Sequence, residues 1–600
     1  ETRISFSSQF GLRTPQKSIP TLGVSEFKGY FQDIAGARYG NATTLRTDYP
    51  FLQNEDNYYS YLFNNNTNWM SLVQSPALVT DNVFRVEGGD EIAKYNLSFG
   101  YTSDGGVVGS TKTDRYNTLI NANILVSRKV DIFTNVGLSY IVSKLQEQGM
   151  TESTNPILAA SLAMPMLSPY KKESDGNILN RYASYNEWNV NANPTFAYEN
   201  VSNPLAIVNT LLASDKIYDA NIRFGLNYHA NRYLTFRGMM NISLNYTEES
   251  IFIPGVTNKA IVPQYYGVGF NTVRRGVIQN RNNYFGLNAD YNRTFNTIHQ
   301  LKGSAGVRYM DRTLESDFGS GYNTSNDFYQ SLSYVTDDRD IAGNNIEWKW
   351  LNYFVNADYT YNNILKAHLN VALDGSSVSG VDAPRFGLFP AFGIKAMLGN
   401  MNFLPEEISM LNISADVSRT GNSRFSSNYA KNYYQNYNLF NLGTIVRSNV
   451  PNTQLEWEKN DELNLGVEIS AFKNLIDVQA NFYTSKAHDL LVARNISSVY
   501  GSSEYYDNTG EIATQGMEIA LNVHAIRTKD FDWSLGGSVA TAKSKILSLG
   551  NSNELAISYK GYNNDDAMVL MRVGESPYSF YGYRTNGIYA TSAEAAACCP

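Results

Sequence analysis

Residues 352–377 alternate apolar and polar side chains with a period of two, pause at two asparagines, and then alternate again. Successive side chains of a β-strand point to opposite faces, so this period predicts two strands. Asn362 and Asn363 between them predict a tight hairpin turn. Each strand would hold about 9 to 11 residues, longer than the usual globular strand and near the length that crosses a membrane at a tilt. The apolar side consists of Tyr353, Val355, Ala357, Tyr359, Tyr361, Leu365, Ala367, Leu369, Val371 and Leu373, while Phe354 is an exception on the polar side.

The same alternation recurs along almost the whole chain. A second example places Tyr95, Leu97, Phe99 and Tyr101 on one face. We interpret about 16 segments as strands on this basis. Further hairpins are predicted to turn at 127–129, 229–232, 472–474 and 527–530.

The connections between these segments are of two kinds. One set consists of short connections of about two to six residues, and the other set consists of long ones. Long loops without secondary structure argue against a compact soluble domain. Outer-membrane barrels have short periplasmic turns and long extracellular loops. The sequence therefore predicts an all-β fold, a large antiparallel transmembrane β-barrel. The alternative, an extracellular β-sandwich array or a solenoid, would show shorter strands or a fixed repeat. The long connections are predicted at 143–219, 247–282, 311–349, 420–459 and 487–513.

Composition is compatible with a membrane barrel. The mean hydropathy is -0.33, and 13% of the residues are aromatic. No apolar run reaches the roughly 18 residues of a transmembrane helix, but a barrel strand needs no such run. The 43 tyrosines suit the aromatic girdles of outer-membrane barrels, although a tyrosine-rich secreted β-protein would share them.

The net charge and the positions of the cysteines and histidines exclude several other classes of protein. A net charge of -8 and a pI of about 5.4 disfavour nucleic-acid binding, which needs a basic patch. The two cysteines, Cys598 and Cys599, are adjacent, so a disulfide framework and a multi-cysteine zinc site are excluded. The five histidines are scattered and show no paired spacing. No catalytic constellation stands out, and we expect no enzyme and no cofactor.

Six segments spread over residues 84–595 carry short motifs in a fixed order. The first is the hairpin 84–117, and the second joins D-G-S-S at 374–377 to G-x-F-P at 387–390. The third is T-G-N at 420–422. The other three consist of Asn452, Leu455, Trp457 and Glu458; of Asn508, Gly510, Gly516 and Glu518; and of Val573, Gly574, Pro577, Gly582, Tyr583, Gly587 and Ile588. Together they resemble the SusC/RagA-type TonB-dependent transporters of Bacteroidetes outer membranes. The chain departs from that pattern in an insertion within 374–386 and in the order Pro451-Asn452.

This resemblance implies a 22-stranded barrel in the outer membrane, of which residues 1–600 would form the main portion. It implies a plug domain upstream of residue 1, a TonB contact before the plug, and final strands after residue 600. It also implies a SusD-like surface lipoprotein as partner and contact with outer-membrane lipid or lipopolysaccharide. The implied function is energy-coupled import of a glycan or an oligopeptide. The alternative function is a structural or scaffold subunit of a larger outer-membrane assembly.

Four sets of residues are candidates for function, each with a plainer structural interpretation. The glycine turns at 104–106 and 374–376 are turn signals first. One predicted loop contains three acidic residues that are candidate calcium ligands, Asp337, Asp338 and Asp340. They lack the spacing of a calcium-binding loop and suit a solvated acidic loop. The SusD-like partner lipoprotein is the other candidate place for calcium. The third set contains the inward-facing cations, which suit a solute path or contacts to plug acids, although wall salt bridges are the preferred interpretation: Arg223, Arg237, Lys302 and Arg308. Tyr265, Tyr266 and Phe270 are the candidate ligand-binding aromatics, and they suit loop packing as well.

Overall fold

The alternating segments form long antiparallel strands in the computed structural model of the chain. The structure describes residues 1–17, 20–39, 49–52, 60–149, 151, 153–188, 201–257, 259–262, 270–401, 404–439, 442–560, 566–585 and 587–598. Seventeen strands of this described part belong to one large sheet, which agrees with the expectation of about 16.

The strand bounds are as follows: β1 (Arg3–Arg13), β2 (Ala77–Gly89), β3 (Ala93–Gly105), β4 (Lys112–Ser127), β5 (Val130–Lys144), β6 (Tyr170–Lys172), β7 (Ile178–Tyr182), β8 (Leu212–His229), β9 (Leu234–Ile253), β10 (Thr272–Phe295), β11 (His299–Tyr322), β12 (Asp337–Tyr361), β13 (Leu365–Ser376), β14 (Phe386–Met397), β15 (Ile408–Asn422), β16 (Tyr434–Leu439), β17 (Leu442–Arg447), β18 (Glu458–Ala471), β19 (Ile476–Asn495), β20 (Glu504–Arg527), β21 (Asp532–Leu549), β22 (Glu554–Lys560), β23 (Asp566–Arg572) and β24 (Ser579–Tyr581). Strands β6–β7, β16–β17 and β22–β24 form small separate sheets.

Helices are short and few in the described ranges. They are α1 (Val24–Tyr39), α2 (Trp69–Val73), α3 (Pro156–Leu162), α4 (Tyr185–Trp188), α5 (Pro204–Thr210) and α6 (Ser592–Cys598). Single 3-10 turns lie at Pro50–Leu52, Ser60–Leu62, Leu332–Tyr334, Leu398–Asn400, Ser427–Tyr429 and Ser498–Tyr500. None of the helices in the described part of the chain has the length and apolar character that crossing a membrane requires.

The contacts of the chain divide it into two units. The first comprises residues 1–228, 238–285 and 311–347, and the second comprises residues 229–237, 286–310 and 348–600. In the first unit, β1 to β5 pair in chain order and β5 pairs with β8. In the second unit, β12 to β15 pair in chain order, β15 pairs with β18, and β18 to β21 pair in order. Both ladders are antiparallel, as hairpin connections require.

The β12–β13 hairpin confirms the prediction made from residues 352–377. Tyr353 pairs with Leu373 and Ala357 pairs with Leu369, so the apolar residues share one face. Asn362 and Asn363 have φ values of 45° and 55°, so they occupy the left-handed central positions of a tight turn that Ile364 N–H closes by donating to Tyr361 O at 2.8 Å.

Phe354, the exception in the alternation, is explained by its partner. It is buried on the polar face, where the Arg308 guanidinium carbon lies 3.9 Å from the centre of its ring. The guanidinium charge is attracted to the electron-rich face of the ring in such a cation–π contact.

A row of tyrosines crosses the first unit on the apolar face. Its members are Tyr101, Tyr116, Tyr140, Tyr218 and Tyr246, whose successive ring centres lie 5.0, 6.3, 4.8 and 6.0 Å apart. Cross-strand register holds the row, because Tyr101 faces Tyr116, Tyr116 faces Tyr140, and Tyr140 faces Tyr218. This tyrosine row has the form of an aromatic girdle at a membrane interface.

Two of the five predicted long connections are confirmed within the large sheet, at residues 145–211 and 423–457, and the other three are shorter than predicted. Strands β19 and β20 continue to Asn495 and Glu504, which reduces the expected connection 487–513 to residues 496–503. Strands β9 to β12 likewise reduce two others to residues 254–271 and 323–336. Where a strand continues into the loop region, it keeps its backbone hydrogen bonds but loses the alternation of apolar and polar residues that marks a lipid-facing strand. The sequence pattern therefore predicted strand ends too close to the membrane.

Candidate functional site

The sequence motifs of the second unit converge at the loop ends of its strands. We call the residues 374–390, 420–422, 452–458 and 508–510 the loop knot. Two backbone hydrogen bonds join its segments: Gly380 N–H donates to Leu455 O at 2.8 Å, and Asp382 N–H donates to Thr453 O at 2.9 Å. The local insertion within 374–386 therefore supplies both of these contacts to the segment at 452–458.

Trp457 is the buried centre of the loop knot. Its indole N–H donates to Arg385 O at 3.3 Å, and its ring centre lies 5.3 Å from that of Phe389. A Cβ atom at Gly421 would lie 2.1 Å from Phe389 Cζ, so the glycine of T-G-N makes room for this ring. Three motifs thus meet at one aromatic pair.

Asn508 closes the loop knot through hydrogen bonds to main chain. Its side-chain oxygen accepts from Glu456 N–H at 2.9 Å, and its amide donates to Glu456 O at 3.0 Å and to Asp489 O at 2.8 Å. Asn452 donates to Tyr506 O at 3.0 Å from the other side. The amide groups of these two asparagines therefore satisfy main-chain groups that a loop would otherwise leave unpaired.

Glu458 adds a charged link within the loop knot. Its carboxylate accepts from Asn422 Nδ2 at 2.6 Å and from Leu491 N–H at 2.9 Å. In the neighbouring hairpin, Asp374 accepts from Asn352, and Ser376 accepts from the Trp348 indole at 3.3 Å. Asp374, Gly375 and Ser376 consequently act as structural residues, but they are the last residues of β13, and the turn predicted at 374–376 follows them at 377–378.

A second assembly, in the first unit, was not predicted from the sequence. The connections β1–β2 and β5–β8 pack their side chains together into what we call the loop core. Trp69 donates its indole N–H to Met164 O at 2.9 Å, and Trp188 donates to Ser168 O at 3.1 Å. The two indole rings lie 5.7 Å apart. Fully buried large side chains of the loop core are Phe51, Met166, Leu167, Val73 and Trp188.

Two Asn-Pro pairs begin the helices of the loop core. Asn155 caps α3 by accepting from Ile157 N–H at 2.9 Å and Leu158 N–H at 3.1 Å, with Pro156 at the first helical position. Asn203 caps α5 in the same way and also donates to Pro169 O at 2.7 Å and to Ala183 O at 3.0 Å. An asparagine cap followed by proline is a helix-start signal, so the sequence held a usable sign of structure in these connections.

Glu187 sets the electrostatics of the loop core surface. It forms ion pairs with Arg181 and with Lys171, the latter at 3.5 Å, and it accepts from Ser184 N–H at 3.0 Å. Burial acts to raise the pKa of Glu187, but the hydrogen bonds from Arg181 and Ser184 and the charges of Arg181 and Lys171 outweigh it. The pKa of this carboxyl group consequently lies below its ordinary value.

The four predicted inward-facing cations have different surroundings. Arg237 forms an ion pair with Asp290 at 3.7 Å, and Arg308 stacks on Phe354. Arg223 and Lys302 make no ion pair with any residue that the structure describes. Wall contacts therefore account for Arg237 and Arg308, and a solute path along Arg223 or Lys302 stays a prediction.

The candidate ligand-binding aromatics are only partly described. Tyr265 and Tyr266 lie outside the described residues. Phe270 is 46% exposed, and its N–H donates to Asn323 Oδ1 at 2.8 Å, which ties its loop to the next one. Asp327 strengthens this tie by accepting from Gly255 N–H at 3.0 Å. Exposed aromatic side chains that the sequence analysis did not select lie in that next loop, at Phe328, Tyr329 and Tyr334.

The predicted calcium ligands do not form a described site. Asp340 belongs to β12 and is exposed, and the side chains of Asp337 and Asp338 lie outside the described residues. Across the described ranges, no group of three or more His, Cys, Asp or Glu residues is arranged to hold a metal ion. Calcium binding stays a prediction.

Comparison with known proteins shows one family. Residues 166–588 match the family model described as "TonB dependent receptor-like, beta-barrel". Among curated proteins, TonB-dependent receptor P3 of Formosa agariphila is 24% identical over 540 residues, which are 87% of this chain and 51% of that receptor. TonB-dependent receptor SusC of Bacteroides thetaiotaomicron is 23% identical over 616 residues, which are 97% of this chain and 57% of SusC. The chain thus spans about half the length of these relatives.

A solved structure has the same fold. The RagAB peptide transporter superposes with a TM-score of 0.78 at 18% identity, over 96% of this chain and 64% of the transporter chain. A second structure, of the RagAB peptide importer in its closed-closed state, gives a TM-score of 0.79 at 18% identity, over 97% of this chain and 64% of that chain.

Proposed function

Because the chain belongs to the TonB-dependent receptor-like β-barrel family, we propose that it forms most of the wall and the outer mouth of an energy-coupled importer. The family match over residues 166–588 carries this proposal. The barrels of this family lie in the outer membrane, which is also the place that a sheet with a continuous apolar face requires.

The loop ends supply the structured surface that a substrate meets first. In the second unit the loop knot fixes three connections around Trp457, and in the first unit the loop core buries two tryptophans. Loops held by such contacts present side chains in fixed positions, which favours specific binding over passive leakage. The chain itself would carry out no covalent chemistry.

The substrate class is a glycan or an oligopeptide. A peptide is supported by the name of the RagAB peptide transporter, whose fold the chain shares, and a glycan is supported by the resemblance of the sequence motifs to the SusC/RagA type. Exposed loop aromatics such as Phe270 and Phe328 suit both, since aromatic rings stack on sugars and pack on peptide side chains.

The proposed partners act at the two ends of the barrel. A SusD-like surface lipoprotein would cover the loop end, and TonB would act through a plug domain. The exposed Tyr30 and Ile34 of α1 support a protein contact at the loop end, because they leave an apolar strip outside the loop core.

Uptake by whole cells tests the importer. Labelled oligopeptides and labelled oligosaccharides are supplied to two kinds of cell, one without the gene and one complemented with the full-length protein. Each uptake experiment is carried out with and without a protonophore. We expect one class to enter only the complemented cells, and the protonophore to abolish its entry. Unchanged uptake of both classes, together with loss of an outer-membrane complex, would contradict the importer and favour the structural-subunit alternative.

A further inference from the structure

A groove runs across the apolar face of the first unit, beside the tyrosine row. It has a volume of about 680 Å³, and we call it the outer groove. The residues that form its floor and walls on the apolar face are Phe99, Thr118, Leu138, Ala220 and Leu244, and the tyrosine row borders it at Tyr116, Tyr140, Tyr218 and Tyr246.

Differences in side-chain size create the outer groove. Phe99 pairs with Thr118, Thr118 with Leu138, and Leu138 with Ala220, so these residues stand side by side at one height. Thr118 and Ala220 are small and leave a depression between larger neighbours. The depression is almost wholly apolar and open to the side, which suits a flexible alkyl chain.

Lysines stand on the same face, beyond the tyrosine row and toward the loops. Lys112 pairs in register with Lys144, and Val142 pairs with Lys216. Lys216 precedes Tyr218 by two positions, or about 7 Å along the strand toward the β5–β8 connection. Lys112 is neutralised by Asp114 at 3.0 Å, and Glu248 is a second carboxylate on this face. Lys144 and Lys216 make no ion pair with a residue in the described ranges.

We propose that the outer groove binds one acyl chain of a phosphate-bearing lipid of the outer leaflet, with Lys144 and Lys216 holding the phosphate. The proposal rests on the outer-membrane position in the proposed function, because only there does this face meet lipid. The long loops lie outside the cell in such barrels, so the lysines stand at the height of the outer-leaflet headgroups. The tyrosine row lies between chain and phosphate, where amphipathic rings are stable.

A similar groove in the second unit shows what distinguishes the outer groove. That groove has a volume of about 570 Å³ and is lined by Leu369, Phe392 and Val417, with Arg419 at its rim. Arg419 is held by two hydrogen bonds to Asp461, at 2.6 and 2.8 Å. Its charge is already matched, so we expect no phosphate there.

Lipid binding to the purified full-length receptor tests the proposal. Detergent-solubilised and delipidated protein is titrated with diphosphoryl lipid A and with a phosphate-free analogue, and the bound fraction is measured by native mass spectrometry. The variants are Lys144→Gln with Lys216→Gln, and Ala220→Phe, which fills the depression. The matched control is Lys543→Gln with Lys545→Gln, since register with Gln515 and Ala513 places these lysines on the apolar face far along the chain.

The wild type should bind diphosphoryl lipid A about tenfold more tightly than the analogue, and the Lys144/Lys216 variant should lose that preference. Ala220→Phe should weaken both lipids, and the control should match the wild type. Equal binding of the two lipids by the wild type, or equal losses in the control and the Lys144/Lys216 variant, would overturn the proposal. Binding is measured without transport, so this result leaves the importer untouched.

Discussion

At the scale of single residues, the side chains that stand out in the sequence motifs are mainly structural. Trp457, Asn508 and Gly421 hold the loop knot together through an indole, an amide and a missing Cβ. The indole donates a hydrogen bond, the amide pairs with main-chain groups, and the glycine leaves space for a ring, so three different residue types contribute to one site. Ligand binding by the aromatic candidates stays a prediction, because Tyr265 and Tyr266 fall outside the described residues.

Asn508→Asp is expected to loosen the loop knot. The change keeps the acceptor for Glu456 N–H but places a carboxylate oxygen against Glu456 O and Asp489 O, which lose their donor. An unsatisfied polar group of this kind costs about 1–3 kcal/mol. Amide exchange in residues 452–458, followed by mass spectrometry, should be about tenfold faster or more. Asn495→Asp at the exposed end of β19 is the matched control, and equal exchange in both variants would refute the role of Asn508.

At the scale of elements, the sequence pattern located the strands of the large sheet but not the structure inside the connections. Alternation located β13 and the turn before it to within a few residues, because the direction of each side chain is a local property of a strand, whereas β12 begins at Asp337, well before the alternation. The described residues of the connection between β5 and β8 form three helices and a small hairpin instead of an open loop. Its helices are too short to be stable alone, so packing in the loop core stabilises them.

The loop core should weaken in acid through Glu187. The pKa of this carboxyl group is below its ordinary value of 4.5, so its contribution to stability is complete above pH 4.5 and is lost as the pH falls through the lowered pKa. Limited proteolysis of residues 145–211 between pH 7 and pH 3 measures the loss. Glu187→Gln should remove this pH dependence and leave a loop that is easier to cleave at pH 7, whereas Glu173→Gln, on the exposed loop, should behave as the wild type. An unchanged pH profile in Glu187→Gln would rule the ion pairs out as its cause.

At the scale of the whole molecule, the two faces of the strands define inside and outside. Along β13, Leu369 is 43% exposed on the apolar face, and its neighbour Asn370 lies opposite Asn356 on the polar face. An apolar face with exposed leucines is stable in lipid and costly in water, so the whole sheet is built for a membrane.

Leu369→Arg and Asn370→Arg are a matched pair for this assignment. A charge on the lipid face near the middle of the membrane costs about 2–4 kcal/mol, whereas the same charge on the polar face is tolerated. We expect Leu369→Arg to reduce the amount of folded barrel in the outer-membrane fraction, measured by its heat-dependent mobility on gels, and Asn370→Arg to have little effect. The reverse order of the two variants would mean that the faces are assigned wrongly.

The sequence by itself determined the strands, their faces and most of the turns, because a period of two specifies side-chain direction from neighbouring residues alone. Tertiary structure decided where the connections end and what they build. Trp69 and Met164 lie 95 positions apart, and Asn508 and Glu456 lie 52 positions apart, yet both pairs share hydrogen bonds. No local pattern specifies such partners, since they meet only after antiparallel strands bring the loop ends to one edge of the sheet.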